Sequence, residues 1–292
     1  MDFLRPASLA EALADVAARP GAVPIAGGTD VMVELNFDRR DRHRPEALLD
    51  LTGVPELAEW STSDGSVRLG AGVSYSRVIA ELGETLPGLA MASRTVGSPQ
   101  IRNRGTVGGN LGTASPAGDT HPVLLALGAR VEVASVRGTR LVPAEEFYVG
   151  VKRTALEPDE LITAVHLPKK AGPQQFAKVG TRNAMVIAVC SFALNLRPDR
   201  REVGAAVGSA APTPRRAGEA EEFLAAELPW DAPAPLADSL NRRFGELVAR
   251  AAAPIDDVRG SADYRRHALA VLARRTLTWA WDEHRGSERT CA

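Results

Sequence analysis

Thiolates are scarce in this chain. Its 292 residues include two cysteines, Cys190 and Cys291, set 101 positions apart. An iron–sulfur cluster takes about four thiolates, and a disulfide scaffold takes a dense, even set in a short chain. Both are excluded. The five histidines, His43, His121, His166, His267 and His284, include no pair at metal-ligand spacing. Excess charge is also missing. Thirty-five basic and 36 acidic side chains leave a net charge of −1, so no field draws the chain toward nucleic acid or an anionic membrane. No run approaches the roughly 18 apolar residues of a membrane span. Met1 to Ala17 lack the basic start and apolar core of a signal peptide. A soluble cytoplasmic protein is the expectation.

The hydrophobic pattern predicts mixed α and β structure. Ser8 with Glu11 three residues later reads as a capping box, which opens a helix that Gly21 stops. Ala22–Ala26 and Leu48–Leu51 read as short buried strands, and between them Val31, Val33 and Leu35 before Asn36 read as a short helix, though their alternation would also permit a strand. Val67–Ala71 alternates as a strand, Ser74 opens a helix, and Leu89–Val96 reads as another. Further strands are expected at Arg130–Val136, Leu161–Leu167, Gln175–Gly180, Ile187–Leu196 and Val203–Val207. Pro214–Leu228, Leu236–Ala252 and Ser261–Asp282 carry apolar residues at helical spacing. The expected organisation is a domain over residues 1–172, divided at about 55 and 56, followed by a sheet-plus-helices domain over 173–292.

Glycine is concentrated in two places. Gly27-Gly28-Thr29-Asp30 lies between a strand and a helix. Glycine lets backbone approach a ligand closely, and the first amides of a helix have no intrahelical partner. Together they suit a phosphate group. The second stretch runs from Arg104 to Asp119, 16 residues with five glycines and with Thr, Asn, Ser and Asp at close spacing. It reads as a long loop without regular structure, a type that is often functional. A G-x-G-x-x-G fingerprint is absent; Gly70-Ala71-Gly72-Val73-Ser74-Tyr75 has tyrosine where the last glycine belongs. A P-loop is absent as well, since no lysine precedes Lys152. The residues themselves reach as far as a phosphate-bearing cofactor held by two glycine-rich segments.

At these residues the chain resembles the FAD-binding medium subunit of the molybdenum hydroxylases, the group of carbon monoxide dehydrogenase and the xanthine dehydrogenases. The likeness covers essentially the whole length. Its carriers are the opening Met1-Asp2-Phe3 to Leu13, the signature Ala26-Gly27-Gly28-Thr29-Asp30, and above all Thr106-Val107-Gly108-Gly109-Asn110 with Thr113 to Asp119. Asp263 to Leu277 resembles the family's C-terminal domain. The resemblance implies an α+β fold: a two-subdomain FAD-binding fold of the vanillyl-alcohol oxidase class, then a small C-terminal α+β domain. It implies that Pro24, Ile25, Ala26, Gly27, Gly28, Thr29, Asp30 and Val31 wrap the FAD pyrophosphate. Thr106, Gly108, Gly109, Asn110 and Thr113 would hold the ribityl and phosphate side, and Asp119 would accept from cofactor hydroxyls. Ile162 and Lys178 match positions that line the flavin in relatives. No catalytic side chain and no metal ligand is implied in this chain. Implied partners are a large molybdenum-cofactor subunit and a small two-iron subunit, in an (αβγ)2 assembly, with NAD, quinone or oxygen as external acceptor. One departure stands out: the family usually carries Asp just before Ile-Ala, and here Val186 precedes Ile187-Ala188.

The reading is an electron-transferring flavoprotein subunit. Two others are a stand-alone flavin oxidase of the vanillyl-alcohol oxidase class and a scaffold that has lost FAD. The first of these needs a His, Tyr or Arg set beside the flavin, which Tyr75, Tyr148, Tyr264 and the scattered histidines do not suggest. The intact second signature argues against the scaffold. Elsewhere, Trp281 reads as core. Arg265-Arg266 and Arg274-Arg275 read as a solvated helix face, and His121 as a local hydrogen-bonding group.

Overall fold

The structure, a computed structural model, describes residues 1–36, 45–63, 65–170, 172–232 and 234–290, the last four of these without their side chains. His43 and Cys291 lie outside the described residues. Near the N-terminus, strands Asp2–Leu4, Ala47–Asp50 and Val23–Ile25 lie side by side in that order, all parallel. Parallel strands need a crossover, and helix Leu9–Ala18 supplies the one between the two outer strands, Asp2–Leu4 and Val23–Ile25. Ser8 Oγ accepts the Glu11 amide at 3.2 Å, while Glu11 reaches back to the Ala7 amide at 2.7 Å. The helix buries Ala12 and Val16 against the sheet's Ala47 and Leu49. The strand Val23–Ile25 therefore ends at a fixed place, with Gly27 and Gly28 next in the chain.

A five-stranded antiparallel sheet follows, in the order Trp60–Ser63, Ser66–Gly70, Leu161–Pro168, Arg130–Ser135, Gly138–Pro143. Both outer strands escape the sequence pattern. Trp60–Ser63 is Trp-Ser-Thr-Ser, and Gly138–Pro143 buries one side chain, Val142. An edge strand facing water has little apolar alternation to show. The inner strands pack Val67, Leu69, Val131, Val133, Val165 and Leu167 into the largest core.

Glu132 pins the middle of this sheet. Its carboxylate receives Arg68 Nη2 at 2.6 Å and Thr163 Oγ1 at 2.7 Å, and His166 Nε2 lies 2.7 Å away. Burial drives its pKa up, but the bonds from Arg68, His166 and Thr163 outweigh burial and hold it down at about 2. A folded-state pKa below the unfolded one adds stability above the ordinary carboxylate range, and that stability is lost as pH falls toward the folded value. Glu132→Gln is therefore expected to be less stable than the parent at neutral pH and to lose less between about pH 4.5 and about pH 2. Urea unfolding at stepped pH checks this, and parallel pH profiles for the two proteins would refute it.

The third sheet is an antiparallel meander of Gln174–Val179, Cys190–Arg197, Glu202–Gly208 and Arg215–Arg216. Helices Gly218–Glu227, Asp238–Ala251 and Ala262–Thr290 accompany it. The helix expected from Pro214 begins at Gly218, because Arg215 and Arg216 pair instead with Val207 and Ala206. Trp281 is buried beside Trp230, ring centroids 5.7 Å apart, while Trp279 is exposed. Arg265 corrects its reading as part of a solvated face. It is 3% exposed, and its guanidinium donates to the carbonyls of Val189 and Ser209 and to Asp257. Helical spacing placed this arginine on the buried side; its charge is tolerated there because polar partners meet it. Arg266 faces outward and pairs with Asp263 at 3.2 Å.

Helix His121–Ala126 joins the second and third units. Its Ala126 carbonyl lies against Gly204, where a β-carbon would sit 1.9 Å away. No helix among the described residues is long and apolar enough to cross a membrane.

Candidate functional site

The two glycine-rich segments, about 80 residues apart in sequence, touch. A β-carbon on Gly27 would fall 2.1 Å from the Arg104 carbonyl oxygen. Gly28 has φ +73°, a backbone state that glycine adopts without strain. Beyond it the helix Val31–Asn36 begins, and Met32 is the first residue whose amide finds an acceptor there, the Gly28 carbonyl at 3.1 Å. Among the described residues, the amides of Gly28, Thr29, Asp30 and Val31 hold no protein acceptor. Thr113 Oγ1 lies 3.0 Å from Asp30 Oδ2 and ties the second segment to the first.

The second segment is not the irregular loop its composition suggests. It starts on the last residue of helix Pro99–Arg104 and contains the helix Val107–Thr113. Two glycines in the first turn argue against a helix on propensity alone. Docking overrides that cost. Thr106 Oγ1 caps the Gly109 amide at 2.9 Å, and the amides of Val107 and Gly108 donate to Val73 and Ala71 at 3.3 and 2.9 Å. A β-carbon on Gly108 would lie 2.5 Å from the Ala71 side chain. This glycine serves close approach, and its amide is already taken up by protein.

Between the segments lies a cleft of about 850 Å³. Pro24, Ala26, Gly27, Gly28, Thr29, Asp30 and Val31 line one side. Thr106, Gly108, Gly109, Asn110, Thr113 and Asp119 line another, and Ile162 closes the floor from the five-stranded sheet. Ile25 and Lys178 do not line it. Ile25 packs under Gly28, its Cδ1 3.5 Å from where a β-carbon would be. Lys178 stands behind Asp119, with its ammonium 2.6 Å from Asp119 Oδ2 and within 3.1 Å of the Thr95 and Val186 carbonyls. The cleft also takes in Leu57, Ile101, Leu156 and Met185, which carry no motif, together with Tyr75 of the near-miss glycine pattern and Val186 and Ile187, where Val186 replaces the family's usual Asp. One signal was available for its neighbours: Ala71 and Gly72 of the near-miss glycine pattern line the cleft as well.

The polar groups are prearranged. Asp119 Oδ2 accepts from Lys178 and from Thr95 Oγ1 at 2.9 Å, while Oδ1 is buried without a protein partner. Burial raises the Asp119 pKa above its ordinary value, more than Lys178 and Thr95 pull it down. A buried oxygen with no partner costs free energy, and the residue that carries it lines the cleft. Thr120 Oγ1 donates to Asn110 Oδ1 at 2.8 Å, which leaves the two amide donors of Asn110 for a ligand. His121 Nε2 lies 3.2 Å from the Asn110 carbonyl, and burial depresses its pKa to about 4, so the ring is neutral. It serves the helix Val107–Thr113 from behind. Lys152 Nζ meets Glu34 Oε1 at 2.6 Å, linking the cleft's first helix to the chain beyond Ala114.

Known proteins are similar to this chain along its length. The family described as the FAD binding domain in molybdopterin dehydrogenase matches residues 1–170, and the CO dehydrogenase flavoprotein C-terminal domain matches residues 175–280. The xanthine dehydrogenase FAD-binding subunit of Escherichia coli O157:H7 is 32% identical over 95% of each chain. The carbon monoxide dehydrogenase medium chain of Afipia carboxidovorans is 31% identical over 94% of this chain and 95% of that one. Among solved structures, quinoline 2-oxidoreductase from Pseudomonas putida 86 superposes with a TM-score of 0.87 at 28% identity, covering 97% of both chains.

Proposed function

The chain belongs to the FAD-binding subunits of the molybdenum hydroxylase family, and from that premise we propose that it transfers electrons between an iron–sulfur partner and an external acceptor. It is a flavoprotein subunit of the oxidoreductase class, and FAD is its cofactor. The carrying observation is the cleft in which both glycine segments meet, with one buried acceptor and four backbone donors left without protein partners.

These groups fit FAD by their chemistry. The free amides of Gly28 to Val31 suit pyrophosphate oxygens. The Asn110 amide would add donors on the opposite wall, and Asp119 would accept from cofactor hydroxyls. Ile162 offers an apolar surface. FAD, when bound, supplies the redox centre that takes up and releases electrons. The chain holds the cofactor, excludes water from its buried side, and fixes the charge of the Asp119–Lys178 pair near it.

We take the partners to be a large molybdenum-cofactor subunit and a small two-iron subunit in an (αβγ)2 assembly in the cytoplasm, with NAD, quinone or oxygen receiving the electrons. Two cysteines cannot hold a cluster, so cluster and substrate chemistry fall to other chains. No histidine lines the cleft among the described residues, and Tyr75 is its one tyrosine, which supports transfer over a self-sufficient oxidase. We divide the chain after residue 172 because Leu161–Pro168 completes the second sheet and Gln174–Val179 begins the third.

The purified chain, alone or in complex, is expected to carry one FAD, read from extracted flavin against protein. Protein that stays colourless after incubation with FAD overturns the reading. Affinity isolation is expected to recover the two partners, and a homo-oligomer that turns over substrate unaided would favour the oxidase. Stopped-flow mixing of the reduced complex with NAD, quinone and oxygen names the acceptor.

A further inference from the structure

We propose that the chain carries a second ligand site, a basic cavity that binds a phosphorylated small molecule. It has a volume of about 580 Å³ and adjoins the flavin cleft, with Met185 and Val186 forming a wall common to both. Its charged lining is Arg94, Arg102, Lys178 and Arg182, and no carboxylate lines it among the described residues.

Lys178 is already neutralised by Asp119. The three guanidinium groups are not. Arg102 donates to the Val96 and Gly97 carbonyls at 3.0 and 2.9 Å. Arg182 donates through Nε to the carbonyls of Ala184 and Met185, both at 3.1 Å. Arg94 forms no ion pair among the described residues. Some arginines of this chain meet acids, as in Arg68–Glu132, Arg140–Glu160 and Arg216–Glu221. These three instead gather at one cavity that no carboxylate lines among the described residues.

The chemistry selects the ligand. A guanidinium fork matches phosphate oxygens, and three uncompensated positive charges favour a multivalent anion over a single carboxylate. A phosphate ester carries about −1.5 to −2 at neutral pH. The cavity exceeds the room inorganic phosphate fills and falls within the range of about 300–1,000 Å³ usual for small-molecule sites. Met91 and Phe176 supply apolar wall for the rest of such a molecule. The Lys178–Asp119 pair joins this cavity to the flavin cleft, so an anion here sits one contact from a group that faces the cofactor.

The test is calorimetric titration of the purified FAD-containing chain with pyrophosphate, ADP and glucose 6-phosphate at low ionic strength. An organic phosphate is expected to bind more tightly than pyrophosphate, and more weakly as salt rises. ADP ahead of glucose 6-phosphate assigns nucleotides, and the reverse assigns sugar phosphates. Joint replacement Arg94→Glu and Arg182→Glu, both at exposed positions outside the flavin cleft, is expected to weaken binding about tenfold or more while FAD content is kept. Absence of binding by all three probes overturns the site, as does binding that the double replacement leaves intact. An acidic peptide that competes as well as the organic phosphates also overturns it, since the cavity is then a protein-docking surface. Flavin content measured on the same samples separates loss of this site from failure of the FAD reading.

Discussion

Gly27→Ala is expected to leave the chain folded but largely without FAD. The added carbon would lie 2.1 Å from the Arg104 carbonyl oxygen, 2.6 Å from its carbonyl carbon and 2.9 Å from Gly105 Cα. All three are backbone atoms, so no rotamer change relieves the contact. Overpacking of this kind costs about 1–3 kcal/mol, and relief requires the two glycine segments to part. Parting them stretches the Thr113–Asp30 contact and widens the cleft where both walls must reach one cofactor. Every 1.4 kcal/mol lost from binding is about tenfold in affinity, so the FAD dissociation constant should rise by that factor or more, and flavin retained after gel filtration should fall with it. The melting temperature should fall by about 2–4 °C for each kcal/mol. Gly218→Ala is the control: nothing lies within 4 Å of its added carbon, and flavin content should hold. A Gly27→Ala protein with full flavin content would show that the segments' close approach is dispensable.

Lys178→Met is expected to have an effect of similar size with a pH signature of its own. Removing one member of a buried ion pair costs about 3–5 kcal/mol, because the other is left charged and unpaired. Lys178 and Asp119 side chains are 11% and 8% exposed. Burial already raises the Asp119 pKa against the pull of the ammonium, and without Lys178 it rises further. A carboxyl whose folded pKa exceeds its unfolded one gains stability as pH falls through the folded value. The variant should therefore be weakest at alkaline and neutral pH and recover toward the parent as the medium is acidified. Adding Asp119→Asn to Lys178→Met should restore much of the neutral-pH stability, since no buried charge remains. Urea unfolding across pH reads both effects, and a loss independent of pH would show that the lysine contributes by packing alone.

These two positions also mark how far the residues could be read in line. The glycine signature was legible because phosphate chemistry constrains a short run of neighbouring residues. Gly27 itself, however, is explained by Arg104, and no local pattern pairs those two. Lys178 was expected to line the flavin; its ammonium contacts Asp119 Oδ2, a pairing across 59 residues that no local pattern shows and that the strand Gln174–Val179 makes possible. The helix Val107–Thr113 was hidden for the opposite reason. Its local propensity argues for a loop, and the bonds that make it a helix come from Ala71 and Val73. The strands Trp60–Ser63 and Gly138–Pro143 were hidden because solvent-facing edges carry no hydrophobic period.

By itself the sequence determined that the chain has too few thiolates for a cluster, that it is mixed α and β, and that its glycine segments suit a phosphate-bearing cofactor. Each of these follows from counting or from contacts within a few residues. The tertiary structure alone decided which side chains share a cleft, which amides remain free within it, and which charges lie buried. Those outcomes depend on segments about 80 residues apart, as with Gly27 against Arg104 and Thr113 against Asp30. The approach of such segments is set by the packing of the whole core, and composition, spacing and periodicity carry no record of it.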